Sequence, residues 1–158
     1  AQGIATCWQG GLEVAHDYDG VLPYITAIGF GRSSEAFRSS AADFDRKTLR
    51  SIAIGDVEGP LQPLMEAARL APNSMGKQMV RFYCVGNRIH IFRKKPAIAI
   101  PQLSYNQCID AGVAAAHIRT AGEALGYQVL LEKLEPAPEY KKNMLYQMSA
   151  RCIRRSEV

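Results

Sequence analysis

Two short runs hold the residue types best suited to gripping a charged ligand: Arg46-Lys47-Thr48-Leu49-Arg50 and Ala71-Pro72-Asn73-Ser74-Met75-Gly76-Lys77-Gln78. A guanidinium presents a planar fork of N–H donors that matches a phosphate, so it orients an anion as well as attracting it. Arg46 and Arg50 are four positions apart and would share one face of a helical turn. Thr48 places a hydroxyl between them. The plainer reading of Arg46, Lys47 and Arg50 is a solvated helix face, and spacing alone leaves both readings open. The second run is a loop after a Pro stop, rich in groups that can meet a ligand with backbone and side chain.

No Ser–His–Asp or Cys–His set accompanies these runs, so the sequence offers no nucleophile with its own base. His117 lies inside a long helical stretch and reads as a structural histidine. Cys7 and Trp8 read as packing, and Met144 and Met148, four apart, read as a packing stripe. The four cysteines, Cys7, Cys84, Cys108 and Cys152, are scattered without a CxxC pair or a histidine at ligand spacing. That pattern argues against a disulfide framework and a zinc site, and for reduced, mostly buried thiols.

The elements that must position the two runs can be read from periodicity. Leu61, Leu64, Met65 and Ala68 fall at helical spacing, with Pro60 or Pro63 in the first turn and Pro72 as the stop. Met79 to Val85 and Arg88 to Phe92 flank Gly86-Asn87, which predicts a β-hairpin with a type I′-like turn. Ser104-Tyr105-Asn106-Gln107 matches a capping box and predicts a long helix behind it. Ile109, Val113, Ala116, Thr120 and Ala124 line one side of that helix, and its small residues allow another backbone to approach closely. Gly126 is the expected C′ residue, followed by a strand from Tyr127 to Leu134 and another from Tyr146 to Ile153. Nearer the start, Pro23 to Gly29 reads as a buried strand, the opening segment as loop, and Ser33 to Asp45 as a surface connection with room for a short helical turn.

With 158 residues, 47% hydrophobic and 22% charged, the chain is ordinary globular material and large enough to bury a core. No stretch has the ~20 apolar residues that span a bilayer, so no membrane segment is expected. A net charge of +4 invites the question of nucleic acid. The basic residues fall instead into three local groups, Arg46/Lys47/Arg50, Arg88/Arg93/Lys94/Lys95 and Arg151/Arg154/Arg155, without a stripe of interleaved aromatics. A small phosphorylated ligand needs one such group; the other two read as solvated surface. The start lacks both an initiator Met and a signal-peptide pattern, so the chain reads as a piece of a longer, cytoplasmic protein.

Taken together the motifs resemble the nitroreductase family, in particular its subgroup that fuses two half-size modules. The family's Arg-Arg-Ser-x-Arg motif is matched by Arg46 to Arg50. Its helix ending in Ala-Pro-Ser-x-x-Asn-x-Gln-Pro-Trp-Arg-Phe is matched by Glu66 to Phe82, with Gly76 where the family has Asn and Met79-Val80 where it has Pro-Trp. Its Ala-rich central helix is matched by Asp110-Ala111-Gly112-Val113-Ala114-Ala115-Ala116-His117. Two further family segments, matched by Gly3 to Gly11 and by Ala27-Ile28-Gly29-Phe30, stand at the front of the chain. Ala124-Leu125-Gly126-Tyr127 also echoes Ala1-Gln2-Gly3-Ile4. The resemblance covers most of residues 1–130 in rotated order, as a tandem protein cut inside its first module would show.

What the resemblance implies is an α+β fold, a mostly antiparallel sheet flanked by helices with a long central helix. Residues 1–31 would end a preceding module, 32–45 would link, and 46–158 would form the second module. It implies FMN as cofactor and NAD(P)H as electron donor, with a nitroaromatic, quinone or similar small-molecule acceptor. Arg46, Lys47, Thr48 and Arg50 would meet the phosphate, and Pro72, Asn73, Ser74, Gly76, Lys77 and Gln78 the ribityl chain or ring, Lys77 beside the edge that turns negative on reduction. The chemistry resides in the flavin, which suits a sequence with no catalytic base of its own. The expected assembly is a homodimer or a pairing with a sibling half-module. The alternative is a non-catalytic flavin-binding or structural half that completes its partner's pocket.

Overall fold

The computed structural model describes residues 6–8, 26–28, 40–96 and 101–155. The chain divides into two compact units, residues 1–43 and 44–158. In the first, β1 (Thr6–Trp8) pairs antiparallel with β2 (Thr26–Ile28), Thr6 standing opposite Ile28. The strand expected within Pro23 to Gly29 is therefore present at Thr26–Ile28. The opening segment, read as loop, is corrected at Thr6–Trp8: a β-branched and an aromatic residue flank Cys7 and suit a pleated pair. A 3-10 turn at Ala41–Asp43 closes the unit, with the Ser40 N–H donating to Asp43 Oδ2 at 2.8 Å.

The second unit runs α1 (Leu49–Ile52), β3 (Ala53–Gly55), α2 (Gln62–Leu70), β4 (Val80–Val85), β5 (Arg88–Lys94), α3 (Pro101–Ala124), β6 (Tyr127–Glu132) and β7 (Met144–Arg154). Its sheet has the order β3-β4-β5-β7-β6. Only the β3–β4 pairing is parallel; the other three are antiparallel. This is the expected α+β architecture.

One face of the sheet meets the helices. Phe82 and Cys84 of β4, Ile89 and Ile91 of β5, and Ala150 and Cys152 of β7 bury against Leu64, Met65 and Ala68 of α2 and Ala111, Ala114, Ala115 and Ile118 of α3. Each large apolar side chain sealed here stabilises the fold by about 1.5–3 kcal/mol. The small residues of α3 make the contact close: a Cβ on Gly122 would lie 2.4 Å from Val129 Cγ2 and 3.4 Å from Leu64 Cδ2.

Four details depart from the periodicity. Helix α3 starts at Pro101, so Ser104 lies inside its first turn and the capping box does not form; Pro at a helix start suits a position whose N–H needs no partner. The buried face of α3 is Gln107, Asp110, Ala111, Ala114, Ala115 and Ile118, while Ala116, Thr120 and Ala124 of the expected stripe are exposed. Between Ala111 and Ala116 every residue but Val113 is Ala or Gly, so hydrophobicity gives little phase there. In the hairpin only Gly86 has positive φ, at 56°, and Asn87 does not, which makes the turn II′-like rather than I′-like. Finally, β7 carries a bulge at Gln147. Ile91 faces Met148 but Phe92 faces Tyr146, so Met148 packs on the core whereas Met144, opposite Lys94, stands on the far side.

That far side of the sheet is a polar and aromatic layer. His90 Nδ1 lies 2.7 Å from Ser149 Oγ, which lies 2.7 Å from the Tyr146 hydroxyl. Tyr140 covers it, its ring 5.1 Å from Phe92 and 6.4 Å from Tyr83.

Candidate functional site

The loop between α2 and β4 is where the backbone is most constrained. Asn73 is extended, and then Met75, Gly76 and Gln78 take φ of 53°, 66° and 46°. For Met and Gln the left-handed region costs about 1–2 kcal/mol each. Such strain persists only where surroundings over-determine it, and it concentrates at ligand-handling sites.

Two buried side chains supply the restraint. Gln78, 6% exposed, accepts the Lys47 N–H on Oε1 at 2.7 Å and donates from Nε2 to the Arg69 carbonyl at 3.1 Å. Its own N–H donates to Asn73 Oδ1 at 2.8 Å. Asp110, 5% exposed, reaches from α3 and accepts both the Ser74 N–H (2.8 Å) and the Ser74 hydroxyl (2.9 Å) on Oδ1. Burial pushes the Asp110 carboxyl above the usual carboxylate range, opposed by these two bonds from Ser74.

Asp110 aside, the charged groups at the other end of the loop are cations. Lys47 Nζ donates to the Lys77 carbonyl at 2.8 Å, and Arg81 donates to the carbonyls of Gln78 and Val80 at 2.7 Å each. The Lys94 N–H donates to the Met79 carbonyl at 3.0 Å. Burial, and then the neighbouring charges of Arg81, Lys94 and Lys77, hold the Lys47 ammonium below the ordinary lysine value. Among the described residues none of Lys47, Lys77, Arg81 and Lys94 forms an ion pair with a carboxylate. Arg46 beside them donates from a terminal nitrogen to the Asp45 carbonyl at 3.2 Å, and its Nε is buried without a partner.

The expected ligand residues thus fall into groups. Lys47 and the loop Asn73 to Gln78 are brought together, with Arg46 next in the chain. Thr48 is exposed at the N-cap of α1 without a side-chain cap bond, and its carbonyl accepts from Ser51. Arg50 turns elsewhere, to an ion pair with Glu58, both side chains exposed. Because α1 begins at Leu49, Arg46 precedes the helix, so the two arginines do not share a helical face. Pro72 is exposed at the loop entrance. His117, half-buried, hydrogen-bonds the backbone of Ala67 in α2, a structural setting.

Spacing missed Asp110, Arg81 and Lys94. Asp110 had a signal: an acid on the same helical face as Ala111, Ala114 and Ile118 needs a partner. Lys94 belonged to a basic group read as solvated surface; only the register of β5 against β4 sets it near Lys47.

The comparisons agree with this architecture. A family model described as "Putative TM nitroreductase" matches residues 1–122, and the chain belongs to that family. A solved structure described as a putative nitroreductase from Thermotoga maritima is similar in fold, with a TM-score of 0.61 at 19% sequence identity. The match covers 98% of this chain and 57% of that one, so the chain spans little more than half the length of its neighbour. No curated protein matches. Among the described residues no helix is long and apolar enough to cross a membrane.

Proposed function

We propose that the chain is a flavin-dependent NAD(P)H oxidoreductase that holds FMN at the Lys47–Gln78 site. The observation that carries this reading is the cluster of Lys47, Lys77, Arg81 and Lys94 around a left-handed loop, none of them ion-paired with an acid among the described residues. A phosphate dianion would be drawn to such a cluster by charge-assisted hydrogen bonds.

The residues present fit the cofactor. Among the described residues the buried Arg46 Nε has no hydrogen-bond partner, a donor that a phosphate oxygen would satisfy. Lys47 and Lys77 supply positive charge, while Ser74 and Gln78 are already committed to Asp110 and to backbone and act as supports. Beyond Gly76 there is open space, with nothing within 4 Å of a Cβ built there. When bound, FMN would accept hydride from NAD(P)H and pass electrons to a nitroaromatic, quinone or similar acceptor. The chain's own residues bind, orient and balance charge. Arg50, committed to Glu58, stands apart from that work.

A second reading, a non-catalytic half that completes the pocket of a second copy or sibling module, draws on two observations. Gly76 offers no side chain where the family has Asn, and the chain spans 57% of the solved neighbour. Titration of the purified protein with FMN, followed by anaerobic addition of NADH or NADPH, separates the readings. Quenched flavin fluorescence and bleaching of the flavin bands are expected. No uptake of FMN overturns the flavin reading, and uptake without bleaching leaves the non-catalytic one.

A further inference from the structure

We propose that Asp110 is a positioning residue for the cofactor-facing loop: acting through Ser74, it holds Asn73 to Gln78 in the left-handed conformation that aligns Lys77 with Lys47. The inference rests on the FMN reading above for its functional meaning, but its structural half stands on contacts within the protein.

The contacts form an unbroken path. Asp110 Oδ1 accepts the Ser74 N–H at 2.8 Å and the Ser74 hydroxyl at 2.9 Å. The Ser74 carbonyl accepts the Lys77 N–H at 3.1 Å, and the Lys77 carbonyl accepts Lys47 Nζ at 2.8 Å. A carboxylate rooted on the rigid 24-residue α3 is thereby linked to two cations of the cluster. Neither Met75 at φ 53° nor Gln78 at φ 46° favours its own conformation, so the loop requires an outside anchor. Gln78 restrains its C-terminal end, and Asp110 restrains its N-terminal end.

The choice of residue is informative. Asp110 is 5% exposed, and among the described residues no cation pairs with it. Burying a lone carboxylate is expensive, and a purely structural clamp has cheaper solutions. Both bonds from Ser74 end on the same oxygen, so the side chain of Asp110→Asn can keep its Oδ1 in place and accept them.

The test is the affinity for FMN, by fluorescence titration, of the wild type, Asp110→Ala, Asp110→Asn, Ser74→Ala and the double variant Ser74→Ala/Asp110→Ala. Asp110→Ala is expected to weaken binding about ten-fold or more, and Asp110→Asn to stay within about three-fold of wild type. Ser74→Ala should fall between, because its backbone N–H still reaches Asp110. The double variant should bind no more weakly than Asp110→Ala, since both act along one path. Strictly additive losses, or an Asp110→Ala protein that unfolds earlier yet binds FMN normally, overturn the proposal. Should Asp110→Ala fail to fold, the remaining single variants decide: a loss of about ten-fold in Asp110→Asn, or none in Ser74→Ala, overturns it. If the wild type binds no FMN, the FMN reading falls, and amide exchange at Ser74 and Lys77 decides the loop claim. Protection lost in Asp110→Ala, or reduced in Ser74→Ala, and kept in Asp110→Asn supports it; protection unchanged in the first two overturns it.

Discussion

At the Val80 end of strand β4, four cationic side chains gather beside a left-handed loop, and among the described residues none forms an ion pair with a carboxylate. At the Cys84 end lies a larger open groove of about 660 Å³, walled by Arg50, Gly55, Asp56, Glu58, Cys84 and Gly86. There Arg50 pairs with Glu58, and Asp56 Oδ2 accepts the Gly86 N–H at 3.1 Å. Volume and chemistry therefore separate. At the roomy end the lining cation, Arg50, already has a carboxylate, whereas among the described residues Lys47 and Arg81 at the tighter end bond only neutral carbonyls. An anion gains more at the second, because it need not displace an existing partner.

The comparison breaks if the groove end proves replaceable, and the largest expected effect lies there. Gly55 has φ of 81°, and a Cβ would sit 2.0 Å from the Cys84 carbonyl oxygen, a clash with backbone. Gly55→Ala should lose about 3 kcal/mol or more of stability in denaturant unfolding, left-handed strain adding to the clash. The binding contrast comes next. Lys47→Glu should weaken FMN binding by about ten-fold or more, whereas Arg50→Gln should change it less than about two-fold and cost under about 1 kcal/mol of stability, as exposed ion pairs do. Equal losses in both would erase the distinction between the ends.

A smaller effect sharpens it. Gly76→Asn places the family's residue at φ 66° with no atom within 4 Å, and Asn tolerates that region better than other side chains. FMN affinity should rise a few-fold, about 0.5–1 kcal/mol for one new hydrogen bond, with the unfolding midpoint little changed. Least of all should happen at Cys84. Burial, then the charge of Asp56, pushes its thiol up to about 11. Since the thiolate is the reactive form, a maleimide at pH 8 should label exposed Cys108 and leave Cys84 intact by mass spectrometry.

How much of this was legible depended on whether a feature was local. The face of α2 and the position of the hairpin turn, though not its type, are written in a few consecutive residues and came out as expected. So did the family, through the loop that follows α2. The assembly of the site is non-local. Arg46 and Arg50 part because α1 begins only at Leu49, behind an extended Thr48 and a Lys47 N–H held by Gln78. Lys94 joins Lys47 only through the hairpin register, and Asp110 reaches Ser74 only because α3 turns that face inward. No spacing along the chain encodes these meetings. The buried face of α3 was hidden for a different reason: in a run of Ala and Gly every side is nearly equally apolar, so packing shape rather than hydrophobicity sets the rotation.

The bulge at Gln147 has an evolutionary corollary. Tyr146 and Ser149 are three residues apart, a spacing that sends side chains to opposite faces of an unbroken strand. The extra residue brings them to one face and lets the Tyr146 hydroxyl meet Ser149 Oγ. What descendants of this chain must inherit at that point is a count, not an identity. Many side chains can stand at position 147, but its deletion would turn Met144 and Tyr146 into the core and strand Ser149 without its tyrosine. Natural variation across β7 should accordingly run to substitutions and spare the length.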